Sequence, residues 1–408
     1  MSVSSLEADR QSRRRSPSLL MLVAMSMVAP VSMNMYLPSM SAMARSFQTS
    51  AGMIQLTMSL FFASVALAQI VTGPLSDRFG RRPVAIGGMV LFCIGSTLCL
   101  LAPSVEFLIV ARMVQAAGGC TGLVLSRAIV RDLYERDKAA SMLGYVTMGM
   151  AVGPMSAPLI GGVLQTGFGW QGSFYFMLTM GLVVLTLALR FLPETHHQRA
   201  SGFSLPKLAG SYRELVRQPL FRSYALAVMF TSSVYFAYLG GTPFLAAGRL
   251  AMSAQVMGLY FMSIALGYML GNFLSGRYAQ RIGSLRMVMV GSFLPVVAVI
   301  ALAVFAGIDF YHPLTLFGPM FFIGFGNGLC LPSAISGAVS VRPDLAGAAS
   351  GLVGSLQMGL GALSSALVAH MLSGPPFADS AWPMVIVMGL CVLLTWVSVY
   401  RIAQLEPR

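Results

Sequence analysis

Apolar runs long enough to cross a bilayer alternate with short polar breaks along almost the whole chain. A membrane-crossing helix needs roughly 20 mostly apolar residues, and twelve stretches meet that demand. They fall near 18–40, 51–74, 84–102, 106–128, 139–165, 171–192, 221–247, 252–276, 285–307, 312–336, 346–372 and 380–402. The breaks are of two kinds. One set is short and nearly uncharged: Ser41 to Ser50, Pro103-Ser104, and Gly167 to Trp170. The other carries charge, as at Arg78 to Arg82 and Arg131 to Lys138. The pattern predicts an all-α membrane protein of twelve transmembrane helices. The longest polar segment, 193–220, divides the chain, leaving a basic tail (1–17) and two apolar blocks (18–192 and 221–403). The Arg213-Glu214 stretch inside it is expected to form a surface helix.

The two blocks repeat one another. Shifting Gly73, Arg78 and Gly80 by 203 residues lands on Gly276, Arg281 and Gly283. The same shift carries the start of the first span onto the start of the seventh. Two six-helix bundles related by a parallel repeat, with a site between them near mid-membrane, follow from such a pattern. The second copy is degenerate, because Gln280 stands where the first has Asp77.

Composition narrows the class further. With 56% hydrophobic residues, 10% charged and a mean hydropathy of +0.77, the 408 residues do not form an ordinary soluble globule. The net charge of +13 raises the question of a nucleic-acid partner. Placement answers it. With both ends on the cytoplasmic side, 23 of the 26 Lys and Arg fall inside; Arg45 and Arg249 fall outside and Arg112 within a span. That asymmetry is the positive-inside rule and reflects topology. The five cysteines all sit in apolar runs without metal-ligand spacing and read as reduced packing residues. Arg13 to Arg15 before an apolar run resembles a signal peptide. The run continues through Tyr36-Leu37-Pro38 without a clear cleavage site, so it reads as a retained first span.

Three constellations carry chemistry. Gly73-Pro-Leu-Ser-Asp77-Arg78-Phe-Gly80-Arg81-Arg82-Pro83 is a tight hairpin between two spans. Its glycines allow close approach or positive φ, and Pro83 suits a first helical turn. Arg112, six residues into a span, is costly in an apolar setting, by about 2.5 kcal/mol and upward. Snorkelling toward Glu106 is one placement; a buried partner or a watery cavity is the other. Gln115 follows one turn along the same face. In the fifth span, Gly149, Gly153, Pro154, Ala157, Pro158, Gly161 and Gly162 leave one helix face nearly bare, suited to close packing and to a bend.

The hairpin resembles the loop between helices 2 and 3 of the major facilitator superfamily. The Arg112–Gln115 run resembles that superfamily's motif on helix 4, and the Ala-Pro-x-x-Gly-Gly ending resembles the antiporter motif of its drug exporters. Met33-Asn34-Met35-Tyr36-Leu37-Pro38, the run Ser126 to Tyr134, and Gln357 to Ala362 are similar to the bicyclomycin- and chloramphenicol-resistance (Bcr/CflA) branch of drug:proton antiporters. The resemblance covers essentially the whole chain. It implies that Asp77 meets the N-terminus of helix 11 while Arg81 pairs with Asp132, forming a latch that closes the cytoplasmic side in one state. A carboxylate at a helix N-terminus gains up to about 2 kcal/mol when partly buried. The resemblance also implies a role for Arg112 in proton transfer. One departure matters: the branch has an aspartate where this chain has Asn34, and an amide does not titrate. No other Asp or Glu lies deep in a span; His370 in the eleventh span is a residue type that titrates near neutral pH.

The expected function is efflux of small lipophilic or weakly polar compounds across a bacterial inner membrane, in exchange for protons, by a monomer with cytoplasmic ends. It needs no cofactor beyond the proton gradient, no nucleic acid, and no enzymatic centre. With Asn34 and Gln115, the aromatic residues Tyr36, Tyr235, Phe236, Tyr238 and Tyr260 and the amide Gln357 are expected to line the binding cavity. Alternatives are a specific metabolite exporter, or a soft-metal transporter for copper using methionines such as Met21, Met25, Met148 and Met155.

Overall fold

The computed structural model describes residues 17–134, 136–196, 205–372, 377 and 380–406. The basic tail therefore lies outside the described residues except for its last position. Every regular element among the described residues is helical.

The first span is broken. Helix α1 (Leu19–Asn34) ends in a 3-10 turn, Leu37–Ser39, before α2 (Met40–Ser46) continues it. Pro38 supplies no N–H at that point, so the helical ladder is interrupted there. Then follow α3 (Ala51–Phe79), α4 (Arg81–Leu100), α5 (Val105–Leu133), α6 (Arg136–Phe168) and α7 (Gln171–Phe191). The expected surface helix in the connecting segment is α8 (Leu205–Arg217). The second block contains α9 (Pro219–Gly248), α10 (Ala254–Ile282), α11 (Ser284–Gly307), α12 (Pro313–Ser340), α13 (Ala346–Leu372) and α14 (Trp382–Leu405). Among the described residues, eleven segments are long and apolar enough to cross a membrane, with α1 and α2 counted as one. The twelfth crossing is α6, 33 residues long and packed along α1 and α10.

Local chemistry places the ends. Ser18, Ser50, Ser104 and Ser253 each cap a helix, their hydroxyls accepting from the backbone N–H three residues on. Such caps are worth about 1 kcal/mol each. The repeat is visible in these details. Helices α3 and α10 share the 203-residue offset at both ends, as do their caps Ser50 and Ser253. Each closes on a glycine with positive φ, 100° at Gly80 and 92° at Gly283. A side chain there would strain the backbone.

The bundles meet along two seams, α3 against α13 and α6 against α10. Every hydrogen bond found between them among the described residues lies at the midplane or away from the arginine-rich hairpin. The Ser41 hydroxyl donates to the Pro243 carbonyl (3.3 Å), the Gln55 amide to the Ser365 hydroxyl (2.5 Å), and the Tyr235 phenol to Asn34 (2.8 Å). Phe62 packs on Phe236 across the seam, ring centroids 4.6 Å apart. Where α6 meets α10 the backbones themselves touch: a Cβ on Gly162 would lie 2.5 Å from the Ala254 carbonyl oxygen, and one on Gly258 2.5 Å from that of Pro158.

Burial follows the same asymmetry. Val31 to Met40 are all buried. Helix α13 is part-exposed from Leu356 to Leu360 and then buried at Gly361, Ala362, Ser364 and Ser365. Hydrogen bonds thus join the bundles at the midplane and on the side away from the hairpin; nearer the hairpin the α3–α13 seam keeps a side-chain contact, a Cβ on Gly354 falling 2.6 Å from Gln69 Oε1.

Candidate functional site

The hairpin cluster forms around Arg81, first residue of α4. Its Nη1 meets Asp77 (2.5 Å) and the Ser76 hydroxyl (2.5 Å), and its Nε meets Asp132 at the end of α5 (2.9 Å). Thr195 donates to the same Asp132 oxygen (3.3 Å). Asp77 keeps 46% of its side chain exposed and has no partner on α13 among the described residues. The predicted Arg81–Asp132 pair is therefore present, and the predicted meeting of Asp77 with the helix 11 N-terminus is not made in this state. Arg78 lies over the ring of Phe79 (5.2 Å), and nothing crowds Gly73.

A residue that sequence reading missed completes the cluster. Glu194, just past α7, accepts from the backbone N–H groups of Arg81 (2.9 Å) and Arg82 (3.3 Å) and so caps α4. Burial pushes its carboxyl up, but N–H donors from His196, Arg81, Arg82 and Thr195 outweigh that and hold it below the ordinary glutamate value. A depressed carboxyl contributes stability above the ordinary value and loses it as pH falls through the lowered one. Glu194→Ala is expected to destabilise by about 1 kcal/mol at pH 7. The melting-temperature gap to the parent should shrink below pH 4; a gap independent of pH would refute the cap. The only advance signal was an acid and a hydroxyl directly after a proline at the end of an apolar run.

Arg112 turns inward rather than toward Glu106. It is 0% exposed. Its Nη1 donates to Gln115 Oε1 (2.6 Å) and its Nη2 to the Ser32 carbonyl (3.1 Å), while Tyr36 and Phe61 face the guanidinium at 4.2 and 4.3 Å. Gln115 passes the chain on to the Ser96 hydroxyl (2.8 Å). Tyr36, whose hydroxyl shares a hydrogen bond with Thr57 (3.2 Å), is fully buried, as is Gln115. These two belong to the packing around Arg112 and do not line a cavity, contrary to expectation. A charge here is tolerated because aromatic faces and carbonyl oxygens replace its water.

The small-residue face of α6 divides its work. Gly149 and Gly153 face Val23 and Val31 of α1, and a Cβ on Gly161 would overlap the Met35 carbonyl at the break in the first span. Gly162 faces α10 instead. Pro154 is part-buried, Ala157 and Pro158 fully so.

Between the bundles lie Asn34, Tyr235 and, on α10, Tyr268. Asn34 is 4% exposed; its Nδ2 donates to the Pro30 carbonyl (2.8 Å) while Oδ1 receives Tyr235. Tyr260 and Gln357 are part-exposed. Phe236 is buried against Phe62 and Gly361, and Tyr238 is buried inside the second bundle against Phe261 and Phe317. Of the expected lining residues, Tyr235, Tyr260 and Gln357 thus keep accessible surface. Met21 and Met25 are buried in the packing of α1, while the side chains of Met148 and Met155 lie outside the described residues. His370 is exposed near the end of α13.

The sequence profile described as Major Facilitator Superfamily matches residues 22–366. The chain belongs to this superfamily. Multidrug resistance protein D of Escherichia coli is 31% identical over 379 residues, covering 93% of this chain and 94% of that protein. The bicyclomycin resistance protein homolog of Haemophilus influenzae is 28% identical over 384 residues, 94% and 95% of the two chains. Chloramphenicol resistance protein of Pseudomonas aeruginosa is 28% identical over 375 residues, 90% and 86%. The chain groups with this Bcr/CflA set. A solved bacterial homolog of the human lysosomal transporter Spinster, inward-facing and occupied, superposes with a TM-score of 0.71 at 18% identity, covering 95% of each chain. The nucleoside transporter NupG superposes at 0.73 and 12% identity, covering 94% of this chain and 98% of that one. These likenesses carry the fold. This superfamily member is a multi-pass membrane transporter and not an enzyme.

Proposed function

We propose that the protein exports small lipophilic or weakly polar compounds from the cytoplasm in exchange for protons, by alternating access between its two bundles. The observation that carries this reading is the asymmetric seam: close glycine backbones and the described hydrogen bonds between the bundles all lie at the midplane or away from the arginine-rich end. Drug-resistance proteins aligned over nearly the full chain support the substrate class. The distribution of Lys and Arg supports an inner-membrane orientation with both ends cytoplasmic, so the end joined by those hydrogen bonds faces outward. A monomer suffices for the mechanism, since the seam lies within one chain.

In the opposite state, the Asp77 carboxylate reaches the N-terminus of α13, and the Arg81–Asp132 pair holds the hairpin for that contact. Proton exchange needs a titrating group, and Asn34 offers none. An aspartate at 34 would set an oxygen against the Pro30 carbonyl that now receives the amide Nδ2. It would place a carboxyl beside the Tyr235 phenol that now donates to Asn34.

The test is drug accumulation in cells with and without the gene, alongside Asn34→Asp. Lower accumulation with the gene is expected, and the aspartate variant is expected to add a pH dependence of at least about tenfold across two pH units. Equal accumulation with and without the expressed protein ends the export reading.

A further inference from the structure

Where the bundles close on the outer side, the contact between α3 and α13 is made by polar groups that are only half satisfied. Gln55 and Ser365 are fully buried, and the Gln55 Nε2 donates to the Ser365 hydroxyl at 2.5 Å. The Gln55 Oε1 is buried and has no hydrogen-bond partner. Turning the amide over only exchanges the atom left over, since Ser365 offers one oxygen to a group with two polar ends. Ser59, one turn along the same face of α3, is buried with its hydroxyl unpartnered as well. Ser39, in the 3-10 turn that packs on α6 and α10, is in the same condition. The α13 backbone has little room to shift and answer them, because Gly240 of α9 lies against it. A Cβ on Gly240 would fall 2.9 Å from the Ser365 carbonyl oxygen.

A hydrogen bond this deep in a membrane protein would ordinarily fasten the joint. An amide with one polar end left without water or partner loses most of that net contribution. Separating α3 from α13 lets water reach Gln55, Ser59 and Ser365 together, so the penalty belongs to the closed mouth alone. The apolar contacts between the bundles carry no such penalty: Phe62 meets Phe236, and Gly162 and Gly258 meet backbone.

We infer that Gln55 is a gating residue that loosens the outer mouth: it keeps α13 in register through Ser365, while its unpaired end stops the closed state from becoming too stable to leave. The inference rests on the alternating-access reading and names a residue that sets its balance. It has a signature that a simple bolt lacks. Removing either partner of a bolt opens the joint, whereas here the two partners act in opposite directions. Gln55→Met removes the stranded oxygen along with the bond and keeps the length of the side chain. It also puts an apolar group where the open state has water, so it favours closure. Ser365→Ala strands the whole amide in the closed state and favours opening.

The experiment uses the full chain in nanodiscs, with spin labels on cysteines at Thr166 and Val256, exposed positions on α6 and α10 at the outer mouth. Ser365→Ala is made in the parent, whose closed mouth leaves room for opening. It should raise the open fraction by at least about threefold. Gln55→Met is made together with Gly162→Leu, whose side chain strikes the Ala254 carbonyl and forces the mouth apart. It should lower the open fraction of that background by at least about threefold. Adding Ser365→Ala to Gln55→Met should change little, because no amide remains to be stranded. Closed-mouth distances kept at their parental values report that each variant is folded. If Gln55→Met opens the mouth further, or either substitution leaves the fractions unchanged, the inference is overturned. If Gly162→Leu itself does not lengthen the distances, no mouth opens at this seam and the alternating-access reading beneath the inference falls.

Discussion

Leucine in place of Gly162 holds the protein with its outer mouth open. At this position a Cβ already falls 2.5 Å from the Ala254 carbonyl oxygen and 2.9 Å from the Gln255 Cα. Both neighbours are backbone atoms of α10, which cannot step aside as a side chain would. Overpacking of this kind costs about 1–3 kcal/mol or more, and the cost falls only on the state in which α6 and α10 touch. A penalty of that size shifts a two-state equilibrium by roughly 5- to 150-fold. The check is a distance distribution between spin labels on cysteines at Thr166 and Val256, both exposed. The five native cysteines are buried, so they compete little for the label. The distribution should move to longer distances, and transport should fall in proportion.

Two controls separate gating from simple damage. Gly161 is the neighbouring residue but faces Met35 within the same bundle. Gly161→Leu should therefore lower the melting temperature without lengthening the label distances. Asp77→Asn removes the contact proposed for the opposite state and should shift the distribution the other way, toward the closed outer mouth. If Gly162→Leu and Gly161→Leu give the same distances, the seam between α6 and α10 is not the gate.

The twelve spans, the repeat and the turn at Gly80 were legible in the sequence because each depends on local chemistry. Apolar length, serine caps and a glycine forced to positive φ leave marks on consecutive residues. The Arg81–Asp132 pair was legible only through the resemblance, since 51 residues separate its partners. What escaped reading depends on which face of a helix meets which bundle. Tyr36 and Tyr235 look alike in sequence, yet one stacks on Arg112 and the other reaches Asn34 across the seam. Glu194 was hidden because it caps a helix 113 residues away in the chain.

Arg112→Met should leave the protein folded and take away most of its export. Two energetic effects of the substitution oppose each other. Replacing a buried charge by an apolar side chain of similar volume is often neutral or stabilising by about 1–4 kcal/mol. Against that, Gln115 Oε1 and the Ser32 carbonyl each lose a donor, at about 1–3 kcal/mol for an unpaired buried group. The melting temperature should accordingly move little. Function should not be spared, because this guanidinium joins α1 at its break to α5, with Phe61 of α3 and Phe174 of α7 stacked around it. A bundle that swings as a rigid body needs that joint, and a proton-transfer role needs its charge. Export is expected to fall by at least about tenfold, equivalent to ~1.4 kcal/mol, with a flatter pH profile. Arg112→Lys keeps the charge but cannot reach Gln115 and Ser32 together in the arginine geometry. If lysine restores the pH profile without the rate, charge and joint are separate contributions. If both variants export at the parental rate with the parental pH profile, Arg112 is packing alone.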